Sequence, residues 1–333
     1  MRFGIGALAV ASAVASVVAL ASPASAQSHS HRYGHKHGHA HDHGHDHKHE
    51  RAKPRVKKAD APVVEAPQHG YGVETESLFG FVNGSDIGHK DDRHATFFYE
   101  THFGKRSGSL RAQQPKLELG YNPIDNLHVA LELWGDRFNI RDVPELDDQN
   151  RWGWGGAIEF KAQLAKRGQG SPVGVTLLLA PHYGNSEHHS GEPAQHYALE
   201  LGLLIDFEIV KDKLVAAFNL LYEPERVRAR GETEWEKESL FGVSGALIAR
   251  VAPSIWFGGE LQYFRKYEGL ALDTFHGHAL YLGPVLTIQA GEHSTFTLAW
   301  AAQVAGKSVE ENARLDLDHF ERHRVRARWS THF

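Results

Sequence analysis

The chain has 333 residues, a formal net charge of −5 and no cysteine. Without cysteine there is no disulfide framework and no thiolate metal site, and so mild a charge does not point to a nucleic-acid partner. Beyond the first 26 residues no apolar run reaches the roughly eighteen needed for a spanning helix; a membrane barrel stays open, because its hydrophobicity is hidden in alternation.

The chain begins MRFGIGALAVASAVASVVALASPASAQ. One early cation, Arg2, precedes an apolar run that ends in Ala24-Ser25-Ala26, so residues 1–26 read as a secretory signal cut after Ala26. An N-terminal anchor is the alternative; the alanine-rich run and the well-formed Ala-x-Ala ending favour the signal.

Residues 27–70 have almost no apolar content before Val63. Such a segment cannot bury enough surface to offset its ordering entropy, and it is predicted to be a disordered tail. It carries His29, His31, His35, His37, His39, His41, His43, His45, His47 and His49. Imidazole is a good ligand for zinc, nickel, cobalt and copper, and Asp42, Asp46 and Glu50 can add oxygen ligands. The spacing is a degenerate repeat, so several weak, exchangeable metal sites are expected. No cofactor is required, and a merely solvated tail is the competing reading.

From about Leu78 the texture becomes short alternating segments, twelve in all. The first places Ala95, Phe97, Tyr99 and Phe103 on one face; the second Leu117 and Leu119; the third Leu127, Val129, Leu131 and Leu133. The fourth places Trp152, Trp154, Ile158, Phe160 and Leu164; the fifth Val173, Val175, Leu177 and Leu179; the sixth Tyr197, Leu199, Leu201, Leu203, Ile205 and Phe207. The next five repeat the pattern through Leu214–Tyr222, Phe241–Val251, Ile255–Tyr263, Leu280–Ile288 and Phe296–Val304, and the twelfth is RVRARWSTHF. A period of two is the mark of a strand with two unlike faces. The opposite faces are predicted to be small or polar, with Glu100, His102, Glu118, His128, Glu132, Glu159, Lys161, Glu200, Asp206, Glu260 and Gln262 among them. Aromatic residues gather near segment ends, as interfacial girdles require.

Connections after even segments are short, such as NPIDN, VKDK, APS and GEHS, with KRGQGSP after the fourth of moderate length; those after odd segments are longer and polar, such as GDRFNIRDVPELDDQNR and EPERVRARGETEW, with only the first, GKRSGSLRAQQ, intermediate. That asymmetry belongs to outer-membrane barrels and puts both chain ends on the periplasmic side. The expected fold is therefore all-β, a transmembrane antiparallel barrel of about twelve strands over 71–333, in the outer membrane of a Gram-negative bacterium with its tail in the periplasm. A soluble two-sheet sandwich also alternates, but it would need polar outer faces. Residues 77–92, SLFGFVNGSDIGHKDD, could enter the lumen, cover the periplasmic mouth or extend the first strand.

In RVRARWSTHF the residues Val325, Ala327, Trp329, Thr331 and Phe333 share one face, and Arg324, Arg326 and Arg328 the other. The stretch resembles the last strand of bacterial outer-membrane barrels, where a terminal Phe is a feature read by the assembly machinery. The resemblance implies Trp329 and Phe333 as an assembly signal, with that machinery and membrane lipid as partners. The body, through SLFGFVNGSDIG, FNLLYEPE, YEGLALDTFHGHALYLGP and QVAGKS, resembles uncharacterised outer-membrane barrel proteins of proteobacteria, and no activity comes with that resemblance.

The predicted lumen is lined by Glu100, His102, Glu132, Glu159, Lys161, Glu200, Glu260, Arg324, Arg326 and Arg328. These could select solutes at a charged constriction or form an ion-pair network that rigidifies a closed barrel. Ser186 and Ser190 lie beside His188 and His189, but no third partner and no Gly-x-Ser-x-Gly elbow accompanies them, so an enzyme is not expected. The function expected is passive passage of small solutes, with transition-metal handling by the tail; a non-conducting structural or interaction barrel is the alternative.

Overall fold

A computed structural model describes residues 72–333 apart from 145, 169–170, 188–189 and 311–312. The signal over 1–26 and the histidine tail over 27–70 lie outside the described residues. The strands are β1 (Arg93–Phe103), β2 (Ser109–Ile124), β3 (Leu127–Arg141), β4 (Gln149–Ala165), β5 (Val173–Ser186) and β6 (Pro193–Val210). They continue as β7 (Leu214–Ala229), β8 (Glu236–Ala252), β9 (Ile255–Glu268), β10 (Thr274–Gln289), β11 (Ser294–Ser308) and β12 (His323–His332).

Every strand pairs antiparallel with its sequence neighbours, and β12 pairs β1 to close a twelve-stranded barrel. Closure leaves no open sheet edge, the requirement for backbone in hydrocarbon. The closing register sets Phe97 against Trp329 and Glu100 against Arg326. One residue of slip would turn every lipid-facing side chain of β12 inward, so the alternation itself specifies the register.

The apolar faces named above point outward. Leu131, Leu133, Trp154, Ile158, Leu261, Leu282, Leu298 and Trp300 are all exposed, and Trp152 is 63% exposed. In water such a belt would carry an unfavourable term of about 25 cal/mol per Å²; in lipid it is the solvated state. A two-sheet sandwich is excluded, because the single sheet closes on itself with its apolar face outward.

Two features depart from expectation. The polar stretches after odd strands are mostly strand: β3 runs to Arg141, β4 begins at Gln149 and β7 runs to Ala229. Polar cross-strand contacts hold these hairpins together past the apolar belt. Arg226 and Arg228 stack on Trp235 at 4.9 and 4.6 Å, and Arg228 donates to Gln195. Only 309–322 remains a long connection, and it folds inward. Its Leu317 and Phe320 are buried, Phe320 against Ala279, Tyr281 and Ala301.

The second departure is inside. Residues 72–92 enter the lumen at the rim of short turns. Val73, Leu78, Phe79 and Val82 form an apolar cluster there with inward-facing Val215, Ile248, Trp256 and Val285. The inner wall is therefore not uniformly small or polar. Where the entering segment packs, β7 to β10 carry apolar residues on both faces, because neither face meets water.

Candidate functional site in the lumen

The entering segment is held by wall side chains that complete its backbone hydrogen bonds. Glu260 on β9 accepts the N–H groups of Gly80 at 2.7 Å and Phe81 at 2.8 Å. Asp206 on β6 accepts Ser85 N–H and the Thr75 hydroxyl, each at 2.6 Å. Arg167 donates to Asp206 and to the carbonyl of Val73, and pairs with Asp86 at 3.0 Å. Arg328 donates to the Phe79 carbonyl at 2.5 Å, Arg326 to that of Gly80 at 3.3 Å and Thr287 to that of Leu78 at 2.7 Å. Buried backbone must be paired, and here a segment without a strand partner borrows its partners from the barrel wall. Gly80 is needed because a Cβ there would collide with Ala299.

Above this plug lies a cavity of about 430 Å³. Eleven carboxylates and six lysine or arginine side chains line it. Most are paired, within one strand or with a strand one or two places away. Glu100 meets Arg326 at 2.6 Å, Arg324 at 3.2 Å and His102 at 2.6 Å. Lys116 meets Glu132 at 2.7 Å, Lys161 meets Glu159 at 2.6 Å and Lys266 meets Glu238 at 2.8 Å. Glu223 and Glu225 on β7 meet His182 at 3.2 Å and His196 at 2.7 Å. Glu200 has no ion-pair partner among the described residues.

Charge is divided across the barrel. The arginine column of β12 stands opposite β6 and β7 in the strand order, where Glu200, Glu223 and Glu225 line the wall. In a low-dielectric lumen such separated charges act more strongly on a solute than they would in water.

Of the residues singled out from sequence, Glu100, His102, Glu132, Glu159, Lys161, Glu200, Arg324, Arg326 and Arg328 face this cavity. Glu260 also faces inward but lies beneath the plug. Trp329 and Phe333 point outward, Phe333 being 74% exposed, and the Phe333 N–H donates to the Arg93 carbonyl at 2.9 Å. The ten histidines of the repeat, His29 to His49, lie outside the described residues. Ser186 is buried with its hydroxyl 3.5 Å from Asp136, and its sequence neighbours His188 and His189 lie outside the described residues.

Sequence reasoning passed over several lining residues. Lys116 alternates with lipid-facing Leu117 and Leu119, beside the Glu118 already placed on the inner face, a signal that was available. Glu223, Glu225 and Glu321 sit in stretches that read as connections. Glu76 is on the plug, whose course no periodicity reveals.

Fold and site together define a closed membrane barrel of the outer-membrane type with a charged, internally plugged lumen. Residues 72–333 match the model of a family of unknown function, DUF6662, and the chain belongs to that family. No curated protein matches the sequence. Among solved structures, the COG4313 outer membrane channel from Pseudomonas putida F1 is similar with a TM-score of 0.50 at 10% identity, over 75% of this chain and 98% of that one. The β domain of the Bordetella autotransporter BrkA gives 0.49 at 10% identity, over 73% and 99%. A KdgM porin gives 0.42 at 11%, over 72% and 99%. At such identities the likeness is one of fold.

Proposed function

We propose that the protein is an outer-membrane channel for small polar solutes, favouring cations, that its own N-terminal segment keeps closed. The observation carrying this reading is the lined cavity: a wall rich in carboxylates, with Glu200 unpaired, above a plug held by hydrogen bonds and packing. A purely structural barrel gains nothing from an unpaired carboxylate facing the lumen. Passage requires the plug to shift, and its tethers are non-covalent. The histidine-rich stretch 29–49 would hang in the periplasm and gather zinc, nickel, cobalt or copper weakly, for uptake or buffering. If that tail is a flexible chain, its forty or so residues span roughly 35 Å. On this reading, membrane lipid and the barrel assembly machinery are its partners, the latter reading Trp329 and Phe333.

The alternative, a non-conducting interaction barrel, is favoured by one observation: inward Trp256 and Ile248 make the plug part of the folded core. Planar-bilayer recordings separate the two. The channel reading expects low conductance from the intact protein and larger, cation-selective conductance from Glu260→Ala. A folded Glu260→Ala barrel that stays silent overturns it.

A further inference from the structure

The rim through which the plug enters carries a second group of side chains. His94, on β1, and His128, on β3, stack with centroids 4.9 Å apart and planes 10° apart. Glu76 of the plug joins them, and one ligand atom from each of the three lies within 4.8 Å of the others. A shared ion at about 2.0–2.2 Å from each needs its ligand atoms roughly 3.3 Å apart, so small side-chain rotations bring them into range.

The ring nitrogens are already sorted. Asn122 gives an amide N–H to the Ile87 carbonyl, so its oxygen is the atom that faces His128 Nδ1 at 2.6 Å. Nδ1 therefore carries the proton, and His128 Nε2 is left with a lone pair. That nitrogen makes no hydrogen bond, and the His128 side chain is 0% exposed. On His94, Nε2 faces the Glu118 carboxylate at 2.8 Å and Nδ1 faces Glu76 at 3.5 Å. The second Glu76 oxygen is also buried without a partner. A hydrogen-bonded outer nitrogen with a bare inner one is the arrangement that orients imidazole for a metal. Gly120 makes the room, since a Cβ there would collide with both rings.

We propose that Glu76, His94 and His128 bind one divalent transition-metal ion of the zinc, cobalt, nickel or copper class, and that this ion clamps the plug to the barrel wall. Two imidazoles and one carboxylate suit those ions better than magnesium or calcium. The local charge agrees. Three carboxylates, Glu76, Glu118 and Glu159, touch the two rings, against one ammonium, Lys161, which pairs with Glu159 at 2.6 Å. A proton on His94 would answer only the contact with Glu76; a metal ion answers the lone pair of His128 and the spare Glu76 oxygen as well. The site stands on its own geometry, whether or not the lumen conducts.

The test uses the full chain in detergent with His69 and the ten histidines of residues 29–49 replaced by asparagine, so that the tail contributes no imidazole. Cobalt(II) is titrated and followed by visible absorption, with zinc as competitor. One equivalent with d–d bands is expected. His128→Ala should weaken binding at least tenfold. Glu76→Gln should do the same without touching the wall, and it carries the test if the His128 variant fails to fold. With zinc bound, amide exchange over residues 75–87 should slow at least tenfold. Absence of a one-equivalent site, or equal binding by folded Glu76→Gln, overturns the metal site. Binding without any slowing of exchange overturns the clamp.

Discussion

The carboxylate of Glu260 holds the backbone N–H of Gly80 at 2.7 Å across 180 positions of sequence. Its other oxygen takes the N–H of Phe81, so one side chain stands in for a missing strand partner. Glu260→Ala removes these charge-assisted bonds, about 3 kcal/mol together. Amide exchange at Gly80 and Phe81 should rise roughly 100-fold, while Glu260→Gln, which keeps an acceptor, should do less. Unchanged exchange in a folded Glu260→Ala barrel would show that the apolar cluster alone holds the plug.

Trp256 tests that cluster. It is fully buried against the plug, whereas Trp154 looks into lipid. Trp256→Ala should cost about 3–5 kcal/mol, the range for a large buried aromatic, and should expose residues 72–92 to added protease. Trp154→Ala should leave proteolysis of the plug unchanged. Equal behaviour of the two variants would remove the packing argument.

Glu100 neutralises both Arg324 and Arg326. Glu100→Ala leaves those guanidiniums without their carboxylate and should destabilise the barrel by about 3–5 kcal/mol. Adding Arg326→Leu should recover part of that loss. Denaturant unfolding of the four proteins of a double-mutant cycle measures the coupling, and strict additivity would mean that the pair contributes nothing.

Phe333 ends the closing strand on the lipid side. Removing it should lower the yield of assembled barrel in cells while leaving refolding into detergent intact, because only one terminal backbone bond is lost with it. Heat-modifiable gel mobility reads both. A normal cellular yield would end the assembly-signal reading and leave the fold untouched.

The histidine tail should bind several transition-metal ions with modest affinity. Protons compete for the same imidazole lone pairs, so capture should weaken as the pH falls through about 6.5. Calorimetry on the full chain, with and without residues 29–49, checks this across pH. The deletion should leave the barrel folded and change cellular metal content; unchanged content with all four metals would leave only a solvated tail.

The sequence by itself determined the barrel. Alternation with a period of two settles which side chains face lipid, and a closed sheet is the one strand arrangement that satisfies the backbone there. The arginine column of β12 and its facing of Glu100 follow from the same rule. What only the tertiary structure decided is the fate of residues 72–92. That segment has no periodicity, since its hydrogen bonds go to Glu260, Asp206 and Arg167, residues far away in the chain. The grouping of Glu76 with His94 and His128 was hidden for the same reason: β2 sets the two histidines side by side over Gly120, but Glu76 lies on the plug, and only entry of that segment brings its carboxylate to them.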